Sequence, residues 1–303
     1  LTVKLAPRLE PWVTSARAAF RRLPARQRGP VVAGSAAAVA LGSLWMLAPP
    51  APPSKLTVSY LDIGQGDATL VQSPEGGAIL FDGGPPEGQV VRLLRRAGVR
   101  RLSAIVATHQ SRDHQGGLPE VIEKVPADLY VDGGDGNRDP GFLAIAEAAA
   151  RRGVRRVVPR QGSVLRAPGL TVKVLGPAPR SPGPAPEDPN PRALVTVVSA
   201  GDFDFFLSGD AEGESLIGLP LPDVEAMKVS HHGSKDPVLP EVLRRLRPQV
   251  AGIEVGESNT YGHPAPATLA ALRAAGVETH RTDLEGTVKL SVDGGRLEVD
   301  TER

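Results

Sequence analysis

The stretch ATHQSRDHQGGLPE, residues 107–120, contains three side chains that can bind a metal ion, all within six consecutive positions. They are His109, Asp113 and His114, and they follow the run SAIVA, which has the pattern of a buried strand. Two imidazoles and a carboxylate at this spacing are typical of a site for a divalent ion. Ser111 occupies the position where a further ligand is expected, and a neutral hydroxyl is a poor ligand. The stretch therefore predicts a metal site with one weakened position.

Further potential ligands also follow strand-like runs. Asp210 ends FFLSGD, His231 and His232 end MKVSHH, and His263 lies in NTYGHP. Alternation along a strand sends only one of two adjacent histidines inward. Each fragment alone has a structural alternative, since Asp210 could cap a helix and His263 could support a turn. Five of the six histidines nevertheless stand at predicted strand ends, which converge along one edge of a sheet.

This set of imidazoles and carboxylates suits Zn²⁺ or Mn²⁺, bound as one ion or as two. Two ions bridged by Asp210 would generate a hydroxide near neutral pH and clamp a phosphoryl oxygen. The sequence has no cysteine, which excludes disulfides, thiolate zinc sites and a cysteine nucleophile. The formal net charge is +1, so any binding of nucleic acid or of an anionic surface must be local.

The first 54 residues predict a membrane anchor. Val31–Ala48 is an uncharged apolar run of 18 residues, which is about 27 Å long as a helix and just enough for one membrane crossing. Five arginines lie within residues 17–28, and the positive-inside rule then places the N-terminus in the cytoplasm and the remaining chain outside. A core helix of small residues is the alternative. We predict two regions: residues 1–54, ending in a proline-rich linker, and a soluble domain over residues 55–303.

Strand-like and helical patterns alternate through the soluble domain. Short hairpins open it, from LTVSYLDI (56–63) to GAILFDGG (77–84). Helical patterns follow at residues 87–97, 140–152, 238–247 and 266–275. This order predicts an α/β domain of two sheets with helices on the outside.

Seven stretches resemble, in order, the C-terminal domain of the ComEC family of DNA-uptake (competence) proteins, which has a metallo-β-lactamase-like αββα sandwich. They are LDIGQGDATLV, ILFDGGP, THQSRDHQGGL, FLSGD, KVSHHGS, NTYGHP and RTDLEGTV, spread over residues 61–288. In that family the domain follows a membrane domain, so residues 1–54 would be the end of its last membrane segment. The resemblance implies a metal-dependent phosphodiesterase or nuclease that acts on incoming DNA outside the cell membrane, with one or two Mn²⁺ or Zn²⁺ ions.

The resemblance also implies roles for individual residues. The positions on the family's metal-site motifs are His109, Asp113, His114, Asp210, one of His231 and His232, and His263. Asp113 and Asp210 are expected to be catalytic. Asp82 and Asp67 are expected to support the ligands, although turn capping is an equal alternative for Asp67.

Ser111 departs from the family, which has His or Asp at this position. At one metal position the remaining ligands are His109 and, if it bridges the two ions, Asp210, so that position should bind its ion weakly. The other position keeps a complete set of ligands, namely Asp113, His114, Asp210 and a later histidine. Asp135 or Asp139 could replace the missing ligand, since the fold places a ligand in their loop.

The expected partner is DNA, bound without sequence specificity and as a single strand, together with the membrane and other competence proteins. Arg112 and Lys235 lie beside the metal loops and could contact phosphate oxygens, or be ordinary surface charges. Two other functions remain open. One is hydrolysis of a phosphoester of the cell envelope, and the other is a metal-poor domain that guides DNA or supports a channel, as Ser111 would favour.

Overall fold

The computed structural model describes the chain at residues 24, 30, 32, 51, 53–135, 139–179 and 186–303. The chain divides into two compact units, Leu1–Pro49 and Pro50–Arg303. The predicted transmembrane helix over residues 31–48 lies outside the described residues, apart from Val32. Among the described residues, no helix combines the length and the apolar character that a membrane span requires.

The second unit is built on two β-sheets. The strands of the first sheet are β1 (Leu56–Tyr60), β2 (Thr69–Gln72), β3 (Ala78–Phe81), β4 (Ala104–Ala107), β5 (Leu129–Asp132), β6 (Arg155–Val157), β14 (Val288–Asp293) and β15 (Arg296–Thr301). Their order is β15-β14-β1-β2-β3-β4-β5-β6. Pairing is antiparallel from β15 to β3 and parallel from β3 to β6.

The strands of the second sheet are β7 (Val164–Ala167), β8 (Leu170–Gly176), β9 (Val195–Ala200), β10 (Phe203–Leu207), β11 (Ala226–Lys228), β12 (Val250–Ile253) and β13 (Glu278–Arg281). Their order is β13-β12-β11-β10-β9-β8-β7. The strands β10 to β13 are parallel, so their carboxyl ends share one edge.

Helices connect the parallel strands, except for the last one, which lies between β13 of the second sheet and β14 of the first. They are α1 (Val90–Arg96), α2 (Arg112–Gln115), α3 (Leu118–Lys124), α4 (Pro140–Arg152), α5 (Gly213–Leu216), α6 (Leu239–Leu246), α7 (Pro266–Ala274) and α8 (Thr282–Glu285). The helical patterns of the sequence correspond to α1, α4, α6 and α7. A short 3₁₀ segment, Ser230–Gly233, follows β11.

Alternation along the strands produces three apolar layers. One lies between the sheets, where Tyr60 and Phe205 pack edge to face with ring centroids 5.8 Å apart. A second joins the first sheet to α1, α3 and α4, through residues such as Leu80 and Ile145. A third joins the second sheet to α6 and α7, and contains Phe206, the neighbour of Phe205 on the opposite face. The observed order is therefore helices, sheet, sheet, helices, as predicted for an αββα sandwich.

Candidate metal centre

The predicted site residues follow the carboxyl ends of strands from both sheets. Asp82 comes directly after β3, and His109 is the second residue after β4. Asp210 follows β10 and His232 follows β11. Parallel strands end along a common edge, and the αββα packing brings the two edges together, so residues distant in sequence share one site.

Two histidines and two aspartates face one another at this edge. The Nε2 atom of His114 lies 3.1 Å from Asp210 Oδ2. The Nε2 atom of His232 lies 3.3 Å from Asp113 Oδ2 and 3.6 Å from Asp210 Oδ2. All but Asp113 are buried. Four groups that converge in this way can coordinate one divalent ion.

Two further aspartates lie on the opposite edge of the same imidazole rings. His114 Nδ1 is 2.8 Å from Asp82 Oδ2, and His232 Nδ1 is 3.1 Å from Asp67 Oδ1. Asp67 is close enough to His114, His232 and Asp210 that one ligand atom from each lies within 4.8 Å of the others. The hydrogen bonds that orient the rings on this side come from Asp82, at 2.8 Å from His114 Nδ1, and from the Glu254 carbonyl, at 2.9 Å from His232 Nδ1. Asp67 adds negative charge beside both Nδ1 atoms, whereas Asp113 and Asp210 lie on the Nε2 side.

The two adjacent histidines have different surroundings. His232 is 2% exposed, whereas the side chain of His231 is 31% exposed. Both have positive φ within the 3₁₀ segment, so this local turn, rather than strand alternation, separates their directions. His231 Nδ1 lies 2.8 Å from Glu212 Oε1, and its Nε2 lies 3.8 Å from Asp210 Oδ2. His232 is therefore the inward histidine, and His231 lies at the opening of the site.

His109 and His263 are neighbours of this cluster. The ring of His109 lies 4.2 Å from that of His114, and its Nδ1 is 3.1 Å from Thr108 Oγ1. The ring of His263 lies 5.5 Å from that of His231. Neither is part of the four-residue group with ligand atoms within 4.8 Å. Both remain candidates for a second, weaker ion.

Ser111 contributes no charge to the site, and its hydroxyl donates a hydrogen bond to Asp113 Oδ1. The possible replacements have other partners. Asp135 forms an ion pair with Arg192 at 3.2 Å. Asp139 caps α4 by accepting a hydrogen bond from the Phe142 amide at 2.8 Å. Each carboxylate thus has a structural role in this fold.

Lys228 and Glu254 are buried charged residues of the site that the sequence analysis did not identify. Lys228 Nζ contacts Asp67, donates to the Gly209 carbonyl at 3.2 Å, and lies 3.9 Å from Asp210 Oδ1. Glu254 accepts hydrogen bonds from the Ala68 amide and Thr69 Oγ1, at 3.2 and 2.8 Å. The sequence does mark them as unusual, because each is the charged residue in an otherwise apolar stretch, Lys228 in MKV and Glu254 in GIEV.

The electrostatics follow from this crowding of charges. Burial opposes protonation of His232, but Asp210 and Asp67 outweigh it and raise its pKa to about 10. Burial lowers the pKa of His109 to about 4, assisted by the charge of His114. Burial also raises the pKa of Glu254 to about 8, with a further contribution from Asp67. The carboxylates therefore hold protons on the inner imidazoles, which a metal ion would displace.

Unpaired atoms indicate that the donor set fits a metal ion. The buried Nε2 atom of His109 and Asp210 Oδ1 have no hydrogen-bond partner. The Nε2 atoms of His114 and His232 form no hydrogen bond either and have only the carboxylates of Asp210 and Asp113 nearby. Buried polar atoms without partners are unfavourable unless another group satisfies them. Nitrogen and oxygen donors within 4.8 Å of one another suit Zn²⁺ or Mn²⁺.

An open cleft of about 550 Å³ lies over the cluster. Its walls include Asp113, Asp210, Asn190, Tyr261 and His263. Arg112 also lines it, but this guanidinium forms a double hydrogen bond with Glu87 at 2.7 and 3.1 Å. Lys235 is exposed and is not one of the residues that line the cleft.

Comparison with known proteins agrees with this architecture. The sequence model of the metallo-β-lactamase superfamily matches residues 61–251 of this chain. The chain therefore belongs to that superfamily. Members of this superfamily are typically metal-dependent hydrolases.

Two curated proteins are similar over most of the chain. ComE operon protein 3 of Bacillus subtilis (strain 168) is 29% identical over 77% of this chain, and competence protein ComA of Neisseria gonorrhoeae is 28% identical over 80%. These matches confirm the resemblance to the competence family. The chain spans only about a third of either relative, 32% and 33%.

A solved structure shares the fold. Igni18, a metallo hydrolase from Ignicoccus hospitalis, superposes with a TM-score of 0.53 at 16% identity, covering 78% of this chain and all of its own (100%).

Proposed function

We propose that this chain is a metal-dependent phosphodiesterase that hydrolyses DNA during uptake, with residues 31–48 spanning the membrane and the hydrolase domain on the outer side. The observation that carries the proposal is the convergence of His114, His232, Asp113 and Asp210 beneath an open cleft. Similarity to a competence protein supports DNA as the substrate.

When bound at this cluster, a divalent ion would supply a Lewis acid for the attacking water and for a phosphoryl oxygen. His114 and His232 would present Nε2 to it, while the Asp82 carboxylate and the Glu254 carbonyl hold the rings from the Nδ1 side. Asp113 and Asp210 would balance the charge of the ion.

The cleft supports a substrate bound mainly through its backbone. Several residues that line it are polar and uncharged, including Asn190, Ser258 and Thr260, and such groups can donate hydrogen bonds to phosphate oxygens. The net charge of +1 provides no strong attraction over a distance. DNA would then be delivered by neighbouring parts of the uptake machinery, rather than captured from solution by this domain.

The test is hydrolysis of a labelled oligothymidylate by the 303-residue chain with Mn²⁺ or Zn²⁺. We expect cleavage that a chelator stops and that Asp210→Asn abolishes. Asp236→Asn is the matched control, because Asp236 accepts hydrogen bonds from the Gly213 and Val238 amides outside the cluster. Cleavage that survives in Asp210→Asn would contradict the assignment.

A second candidate function is a weakened domain that guides DNA without cutting it. The observation that favours it is Ser111, whose hydroxyl serves Asp113 and adds no negative ligand. Binding of the oligothymidylate without cleavage under any metal condition would support this function. Cleavage of a small phosphodiester, with no effect on DNA, would instead favour an envelope phosphoester as substrate.

A further inference from the structure

An exposed aromatic ring stands at the opening of the metal centre. Tyr261 is 71% exposed, which is the highest value among the exposed large hydrophobic residues of the described part of the chain. It lines the same cleft as Asp113 and Asp210. No Phe, Trp or other Tyr occurs among the described residues of that lining.

A row of rings connects Tyr261 with the buried ligands. Its ring lies 6.0 Å from that of His263, with an angle of 31° between the planes. His263 lies 5.5 Å from His231, which in turn lies 6.0 Å from His232. One wall of the cleft is thus aromatic from its opening to the metal cluster.

The loop that carries Tyr261 is braced from inside. Asn259 Nδ2 donates to the carbonyls of Gly256 and His263, at 3.0 and 2.9 Å. Its Oδ1 accepts a hydrogen bond from the His263 amide at 3.1 Å. The same side chain therefore ties the loop together on both sides of Tyr261, which limits the backbone freedom that the loop would lose on binding.

We propose that Tyr261 stacks on a nucleobase of a single strand whose backbone crosses the metal centre. The inference rests on the proposed function and adds to it how the bases are held. Every base has a flat face, so stacking on an aromatic side chain tolerates any sequence. It also acts on unpaired bases, which makes Tyr261 a selector of single strands over duplex DNA. A tyrosine side chain loses little conformational entropy when it is immobilised.

Two substrates of equal length separate stacking from backbone contact. One is an oligothymidylate, and the other is the same strand with abasic sites, which keeps the phosphates and removes the bases. For Tyr261→Ala we expect a KM at least about five-fold higher on the oligothymidylate, with kcat little changed, because a stacked base contributes binding. The abasic strand should be hydrolysed equally by the variant and by the wild type.

Two further variants make the result specific. Tyr261→Phe should retain the wild-type KM, since it keeps the ring and loses only the hydroxyl. Leu284→Ala removes another exposed apolar side chain, 61% exposed and outside the cleft lining, and should have no effect. Equal losses in Tyr261→Phe and Tyr261→Ala would show a hydroxyl contact, and equal losses on both strands would show a backbone contact. Either result overturns stacking.

Failure of the proposed function is a separate outcome. If the wild type cleaves neither strand with any metal, the phosphodiesterase assignment fails, and the same strands are then compared by fluorescence anisotropy. About five-fold weaker binding of the oligothymidylate by Tyr261→Ala would still support stacking. Equal binding by both proteins, or binding by neither, would overturn it.

Discussion

Lys228 is a buried cation that compensates the negative charge of the carboxylates around it. Asp67, Asp82, Asp113 and Asp210 crowd one end of the sandwich, and three of them are almost fully buried. A buried carboxylate is unfavourable unless a cation or hydrogen bonds compensate it. Lys228 provides a positive charge that contacts Asp67 and lies 3.9 Å from Asp210 Oδ1.

Removal of this charge should destabilise the fold. We expect Lys228→Met, similar in shape but neutral, to lower the free energy of unfolding by about 3–5 kcal/mol, because Asp67 loses its partner inside the protein. Urea denaturation measures the change. Lys55→Met is the control, since Lys55 pairs with Asp293 and Glu298 at the surface and its loss should leave the midpoint unchanged. Equal midpoints for wild type and Lys228→Met would contradict the account.

A substitution at position 111 tests whether the metal position beside His109 binds weakly because Ser111 is a poor ligand. We expect Ser111→Asp to increase the amount of metal bound per chain, because a carboxylate would supply both charge and an oxygen ligand beside His109. Elemental analysis after dialysis against Mn²⁺ or Zn²⁺ measures this. Ser111→Ala separates the new ligand from the lost hydrogen bond to Asp113 and should show no increase. No gain in Ser111→Asp would mean that another group already fills that position.

At the scale of elements, the loop between β1 and β2 and the turn after β3 hold α2 in place. The Asp67 amide donates to the Asp113 carbonyl at 3.0 Å, and the Gly83 amide donates to the His114 carbonyl at 2.7 Å. Gly66 has a φ of +135°, and a Cβ there would collide with the Asp113 carbonyl oxygen. The backbone therefore fixes Asp113 and His114 through two hydrogen bonds, and the close approach beside Asp113 requires a glycine at position 66.

A single methyl group at this contact should disturb the metal centre. We expect Gly66→Ala to weaken metal binding by about 10–100-fold, the range found when supporting groups of a metal site are changed. Isothermal titration with the metal ion measures the affinity. Gly76→Ala is the matched control, because Gly76 also has a positive φ of +94° but open space around its Cα. Equal affinities in the two variants would exclude a role for this contact.

Much of this organisation was predictable from local patterns, and some of it was not. Hydrophobic periodicity predicted α1, α4, α6 and α7, and the apolar runs before Asp82, His109 and Asp210 predicted strands that end at the site. The strand predicted to end at His231 and His232 ends earlier, at Lys228, because a turn with positive φ replaces it. The final hairpin, β14 and β15, was not predicted, although TVKLSVDGGRLEV has the alternation and the DGG turn of one.

The contacts of Lys228 and Glu254 depend on tertiary structure. A charged residue in an apolar strand signals that a partner exists, but its identity follows only when the strands of both sheets are placed. Asp67 was predicted to support the ligands, and its position on the Nδ1 side of two histidines is consistent with that role. The membrane anchor, the outer location and the individual ligand roles stay predictions.

At the scale of the whole molecule, the candidate ligands come from both sheets. Asp113 and His114 follow β4 of the first sheet, whereas Asp210 and His232 follow strands of the second. An ion held by all four would tie the two halves of the sandwich together. Binding to the folded state alone stabilises it, by about 2.7 kcal/mol at a free metal concentration of 100 times Kd.

The most direct test of the central claim is a calorimetric titration of the metal-free chain with Zn²⁺ and, separately, with Mn²⁺, repeated on Asp210→Asn. We predict that at least one ion binds the wild type, and that its affinity falls by more than about ten-fold in the variant, since Asp210 lies near Nε2 of both His114 and His232. Absence of binding to the wild type, or equal affinity in Asp210→Asn, would contradict a metal centre at this cluster.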